Sequence, residues 1–138
     1  MYRLRFIEDD DDVRFLFELL KERPVFANIS HKRMPSFKEH KRFVDSHPYY
    51  VWFIIWSGND RVGSVHKQFD GEIGIAVKKE YQKQGVASSI VPCMFVIGND
   101  RNLANVAPGN SMGIGLFRKL GFEHIQNTYE HVGKEETK

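Results

Sequence analysis

The sequence predicts an α+β domain of the mixed α/β, three-layer type, with helices packed on the faces of one central, mostly antiparallel sheet. Three observations carry this. Tyr49–Trp56 and Arg61–Phe69 are rich in aromatic and β-branched residues and flank the turn-forming Ser57-Gly58-Asn59-Asp60, which reads as a hairpin. Segments with apolar residues at helical spacing lie before and after these strands rather than alternating with each of them. No repeat, linker or low-complexity segment divides the 138 residues, so residues 1–138 are expected to form one domain.

Taken in order, Tyr2–Ile7 alternates in polarity and opens the chain as a strand. Glu8–Asp12 leads into Val13, Phe15, Leu16, Leu19 and Leu20 at helical spacing. One aspartate is expected to cap this helix and the others to complement its dipole, because contiguous carboxylates fan around a helix start instead of converging on a metal. Pro24 ends the helix and Val25–Pro35 is irregular. Ser36 and Glu39 form a capping-box pattern for a second helix, Phe37 to Ser46, stopped by Pro48. After the hairpin, Asp70-Gly71 is a second tight turn and Glu72–Val77 a further strand. Gly85–Gly98 is mostly apolar and reads as a buried helix bent at Pro92. Leu103–Val106 is a brief strand, Asn110–Leu120 a helix stopped at Gly121, and Phe122–Val132 a final strand before a frayed end. The predicted order is β-α-α-β-β-β-α-β-α-β.

Composition narrows the function classes. A formal net charge of +2 with interspersed signs gives no basic stripe, so no nucleic-acid partner is expected. Lys32–Arg33, Lys38 and Lys41–Arg42 are interrupted by Glu39 and read as a solvated helix face. No apolar run reaches the ~18 residues of a membrane span, and the start lacks a signal-peptide core. The single Cys93 excludes an internal disulfide, and the six histidines show no HxH or HExxH spacing, so no metal is expected. These features suit a cytoplasmic protein without a membrane partner.

The segment Val77–Ser89 joins a strand to a helix start. Free N–H groups and the positive dipole end make such a start a phosphate site. Gly85 and Ala87 keep the backbone bare, Gln82, Lys83 and Gln84 can fold back over a diphosphate, and Ser88 or Ser89 can add a hydroxyl. The segment has neither the GxxxxGK[ST] nor the GxGxxG pattern, and taken alone it also reads as a plain turn.

Gln82-x-x-Gly85-x-Ala87 after a strand resembles the Q/R-x-x-G-x-G/A signature of the GNAT superfamily of N-acetyltransferases. Downstream, Asn110-Ser111-Met112-Gly113-Ile114-Gly115-Leu116-Phe117-Arg118-Lys119-Leu120-Gly121-Phe122 resembles that family's N-x-x-A/S-x-x-L-Y/F-x-K-L-G-F helix. The element order follows the family over nearly the whole chain. Met34-Pro35-Ser36-Phe37, Ala104-Asn105-Val106-x-Pro108-x-Asn110 and Ile125-Gln126-x-Thr128-Tyr129 are similar to small bacterial or phage-type members associated with sugar and surface-polysaccharide modification.

The resemblance implies a sheet splayed at the cofactor strand and an N-acetyltransferase that moves acetyl from acetyl-CoA to a primary amine by direct attack. It implies that the backbone of Ile75, Ala76 and Val77 pairs with pantetheine, and that the N–H groups from Gln84 through Gly85, Val86 and Ala87 to Ser88, with Gln82 and Lys83, hold the diphosphate. Small Gly74 and Ala76 suit a passing cofactor or tight sheet packing. Asn110 matches a cofactor-contacting asparagine, and is equally a helix cap. The Val77 N–H is the expected oxyanion donor. Glu72 is the expected base, the alternative being a solvated surface carboxylate. Phe117 stands where many relatives carry a proton-donating tyrosine; it packs on pantetheine or fills the core, so that the thiolate either leaves unprotonated or takes its proton from Tyr129, Tyr81 or Ser111. His31, Arg33, Met34, His40 and Trp52 are expected to line the acceptor pocket, where His31 or His40 is an alternative acceptor of the amine's proton. The acceptor is read as a small molecule or a nucleotide aminosugar, with a protein amine or a non-catalytic acyl-CoA-binding module as alternatives, and the protein as a monomer or homodimer.

Overall fold

The computed structural model describes residues 1–23 and 33–133, so His31 and the chain end fall outside the described residues. Strands β1 (Tyr2–Phe6), β2 (Val51–Ser57), β3 (Asp60–Lys67) and β4 (Ile73–Val77) form an antiparallel sheet in chain order. Helices α1 (Asp10–Lys21) and α2 (Phe37–Asp45) cover one face, burying Val13, Leu16 and Val44 against Ile54. Helix α3 (Val86–Ile90), the 3-10 turn Val91–Val96 and α4 (Ser111–Lys119) lie on the other, around Ile55, Val65, Ile73, Val86, Ile90 and Met94. Three layers result, as the sequence predicts.

Local chemistry sets the elements. Asp9 caps α1 by accepting from the Asp12 N–H at 2.9 Å, and Ser36 and Glu39 complete the capping box of α2. Asp12 does more than complement a dipole. Its buried carboxylate accepts from Arg61 Nε at 2.9 Å and from the Glu8 N–H at 2.8 Å, tying α1 to β3. Helix α4 ends in a Schellman motif: Gly121, at φ +95°, donates to the Arg118 carbonyl and Phe122 to the Phe117 carbonyl, with the two phenylalanine rings 5.1 Å apart.

Three predicted elements differ. The Gly85–Gly98 helix is α only to Ile90 and continues as a 3-10 turn, because Pro92 has no N–H for an α-helical bond. Leu103–Val106 is reduced to one parallel bridge between Leu103 and Glu72; beyond it Val106 packs toward Gly113 of α4. Phe122–Val132 forms no strand, since a strand needs a partner and nothing among the described residues pairs with it. No helix among the described residues is long and apolar enough to cross a membrane.

Lys67, at the end of β3, has no exposed surface. Its ammonium donates to the carbonyls of Met94 (3.0 Å), Ile97 (2.7 Å) and Asn99 (2.7 Å) and to Asn102 Oδ1 (2.8 Å). Lys67→Met leaves the Ile97 and Asn99 carbonyls and Asn102 Oδ1 without this donor, the Met94 carbonyl keeping the Ile97 N–H, and should cost about 3 kcal/mol or more in urea denaturation. Arg5→Ala, which removes an exposed pair with Glu8, should cost under about 0.5 kcal/mol. Equal losses for the two would show that Lys67 anchors nothing.

Candidate active site

The outer edge of β4 is the candidate cofactor site. Lys78 donates to the Val62 carbonyl and Gln68 to the Glu72 carbonyl, both at 2.8 Å, so the even-numbered residues from Glu72 to Lys78 pair with β3. Peptide groups alternate along a strand, which turns those of Ile73, Ile75 and Val77 outward. The Ile73 N–H is taken by the Leu103 carbonyl (2.7 Å), and the Leu103 N–H by Gly71 (3.0 Å). Pairing stops there, so β4 and the following segment part into a wedge open toward Val77. Among the described residues, the N–H groups of Ile75 and Val77 have no hydrogen-bond partner, while the Val77 carbonyl accepts from Gln82 Nε2 at 3.0 Å. Ala76 differs from expectation: alternation points its backbone at Ser64 of β3 instead of into the wedge.

The wedge opens onto the Gln82–Ser88 turn. Lys83 (φ +63°) and Gly85 (φ +85°) both adopt left-handed backbone, curling the chain into α3. A Cβ on Gly85 would meet nothing, so glycine is favoured there by backbone conformation and not by lack of space. Helix α3 has no side-chain cap; its first bond is Ser89 N–H to the Gly85 carbonyl (3.0 Å), which leaves the N–H groups of Val86, Ala87 and Ser88 without a partner among the described residues. The Val86 side chain is core. Gln84 turns back to the Glu80 carbonyl (3.2 Å) and Lys83 is exposed. Glu22, at the end of α1, accepts from the Lys79 N–H at 2.8 Å and ties the turn to that helix.

At the closed end of the wedge, Glu72 is half-buried on the face toward α1 and α2. Burial holds its carboxyl above the usual range, helped by Asp70 and opposed by a hydrogen bond from the Asn105 side chain. Gly74 lies on the same face, opposite His66, and a Cβ there would overlap the His66 ring; its small size serves packing, not the cofactor. The Tyr49 ring stacks on His66 at 3.8 Å between centroids and 6° between planes, with Trp52 edge-on to it at 4.8 Å.

A model of the FR47-like protein family matches residues 61–131, which span β3, β4, the turn and α4. The chain belongs to the FR47-like family. Its fold is that of known acetyltransferases. It is similar to a domain from Methanocaldococcus jannaschii DSM 2661 (TM-score 0.76, 23% identity, covering 94% of this chain and 93% of that one). It is also similar to an acetyltransferase from Thermus thermophilus (TM-score 0.71, 16% identity, 92% and 90%). A third likeness is to spermidine N-acetyltransferase from Vibrio cholerae in complex with CoA and spermine (TM-score 0.72, 20% identity, 91% and 82%). No curated protein matches the sequence significantly.

The remaining predicted residues of this FR47-like chain scatter. Asn110 is the N-cap of α4, its Oδ1 accepting from the Gly113 N–H at 3.0 Å. Phe117 packs into the α3-side core and the Schellman contact. Of the alternative proton donors, Tyr81 packs on that core, and Ser111 and Tyr129 are exposed. His40 is buried beside Phe17, whereas Arg33 and Met34 are exposed. Trp52 packs edge-on to Tyr49 and His66. Sequence reading missed Tyr49, His66 and Asn105. The signal available was the strand alternation that puts His66 on one face with Glu72, but it needed the β3–β4 register.

Burial first and Arg23 second lower His66 from 6.5 to about 4, so its imidazole is neutral. The unfolded chain binds this proton near 6.5, so between 6.5 and 4 the unfolded state holds more protons and stability falls as pH falls, by on the order of 3 kcal/mol in all. Denaturation at about pH 7 and pH 4 should show this loss. His66→Phe keeps the ring stack and should remove that share of it; an unchanged loss would clear His66.

Proposed function

We propose that this protein is an acetyl-CoA-dependent N-acetyltransferase acting on a primary amine of a small molecule. The observation that carries the reading is the wedge: outward N–H groups at Ile75 and Val77 lead from the uncapped first turn of α3 to a half-buried carboxylate at Glu72. Family membership and the fold shared with acetyltransferases support it, as does the presence of CoA and an amine in the Vibrio cholerae neighbour.

On this reading, the N–H groups of Val86, Ala87 and Ser88 hold the diphosphate, with Lys83 as an exposed cation beside it. Ile75 and Val77 pair with the pantetheine arm, and Gln82 serves by fixing the Val77 carbonyl. Acetyl-CoA supplies a thioester open to nucleophilic attack. The Ile75 N–H lies nearer than that of Val77 to Glu72 and is the better placed to receive charge on the thioester oxygen. An alkylammonium ordinarily loses its proton near 10.4, so the acceptor needs a base; the Glu72 carboxylate takes that proton, directly or through water. Asn105 holds one side of the carboxylate and leaves it oriented. Asn110 and Phe117 act by placing α4 against the wedge.

Glu72→Gln should lower kcat/KM about 100-fold without changing acetyl-CoA affinity. The parent's kcat/KM should fall as pH falls through an inflection above 4.5, since the raised carboxyl must be ionised to act. The same burial makes the ionised carboxylate a stability cost near neutral pH, so the variant should be no less stable. A variant with full turnover would remove Glu72 as the base. Gly85→Val puts a β-branched residue at φ +85°, a strain of about 1–2 kcal/mol, and should weaken acetyl-CoA binding about tenfold by calorimetry. Binding of acetyl-CoA without thiol release on any amine of a broad panel would point to the non-catalytic reading.

A further inference from the structure

Tyr49 is held more firmly than its place in the bend before β2 requires. Its ring is stacked on His66, met edge-on by Trp52 at 4.8 Å and by Phe43 at 5.8 Å. His66 can lie flat there only because Gly74 opposite it has no Cβ. Glu72 lies two residues before Gly74 on the same face of β4, one strand repeat of roughly 7 Å away. A cross-strand ladder from Gly74 through His66 thus holds the Tyr49 ring over the face of β4 that carries the carboxylate.

The polar atoms at this place are under-used. Among the described residues the Tyr49 hydroxyl makes no hydrogen bond, and Trp52 Nε1 is buried without a partner. Among the described residues the Glu72 carboxylate is given one side-chain partner, Asn105. Tyr49 and Trp52 also wall a concavity of about 540 Å³ that runs to Glu8 and Asp10 at the start of α1. Room for a ligand's tail therefore adjoins Tyr49 and Trp52. The ionisable groups facing Tyr49 are Glu72, His66 and Arg23: one anion, one neutral imidazole and one cation.

We propose that the acceptor amine is received between the Tyr49 hydroxyl and the Glu72 carboxylate, beside the stacked Tyr49–His66 pair. Tyr49 is then a residue that touches substrate, and the acceptor is a primary alkylamine whose chain extends along Trp52. The hydroxyl and the carboxylate bind the amine nitrogen from two sides, and the ring faces suit its alkyl carbons and its cationic form. Tyr49 and Trp52, not the histidines of the preceding helix region, would set which amines enter. This deepens the acetyltransferase reading and rests on it.

The test uses Trp emission, to which Trp52 contributes, with n-butylamine as the probe and the full chain as it stands. Acetyl-CoA binding is measured separately by calorimetry, so failure of the cofactor reading shows there and nowhere else. In the parent, n-butylamine should change the emission saturably. Tyr49→Phe keeps the stack and the fold; its half-saturation should rise about tenfold, with acetyl-CoA affinity unchanged. Gly74→Ala, which displaces the His66 ring, should reproduce that loss. If Tyr49→Phe titrates like the parent, or if the parent does not respond to n-butylamine at all, the inference is overturned.

Discussion

The site depends on one buried ammonium. Lys67 carries its charge to the α3 side of the sheet and binds the backbone of the segment that follows α3 at Met94, Ile97 and Asn99, and at Asn102 through its side chain. That segment has no regular structure of its own after Val96, so its course is set by what holds it. The residue after Asn102 is Leu103, whose N–H and carbonyl close the wedge onto Gly71 and Ile73. Two residues further, Asn105 reaches Glu72. Lys67 therefore fixes the closed end of the wedge and the orientation of the candidate base from the opposite face of the sheet. An unsatisfied buried charge would be ruinous here, and four oxygen acceptors remove that cost.

Elements with strong local causes were legible in the sequence. The capping box at Ser36 and Glu39, the Ser57–Asp60 turn and the glycine stop at Gly121 depend on residues within a few positions of one another, and each is present. The turn at Gln82–Ala87 was legible for the same reason: a left-handed residue before a helix favours glycine, and Gly85 is that residue. Leu103–Val106 and Phe122–Val132 have β-forming composition yet form no ladder, because strand formation is decided by a neighbouring edge that composition does not reveal. Asp12 read as one of several dipole-complementing carboxylates. Only the fold brings Arg61 to it.

The candidate site divides along the same line. Its cofactor half is contiguous, from Ile75 to Ser88, and could be read as a pattern. Its acceptor half gathers Tyr49, His66, Glu72 and Asn105 from separate segments. Gly74 shows the difference most plainly. As a sequence letter it fits either a passing cofactor or tight packing. The register settles it, because His66 stands opposite and occupies the space a side chain would need.

Lys67 and Glu72 make a useful comparison, since both lose hydration and both shift toward their neutral forms. The number of partners separates them. Lys67 spends its donors on four protein oxygens at 2.7–3.0 Å, so nothing remains for a ligand and its role ends in architecture. Glu72 is given one side-chain partner, Asn105, and carries the nearby charge of Asp70 besides. Burial raises the energy of its ionised form, and few hydrogen bonds lower it again. A carboxylate left in that state gains most by taking a proton, or by meeting a group that brings one. On the proposed reading an ammonium arriving beside Tyr49 is such a group, and the residue that weakens the fold is the candidate for the chemistry.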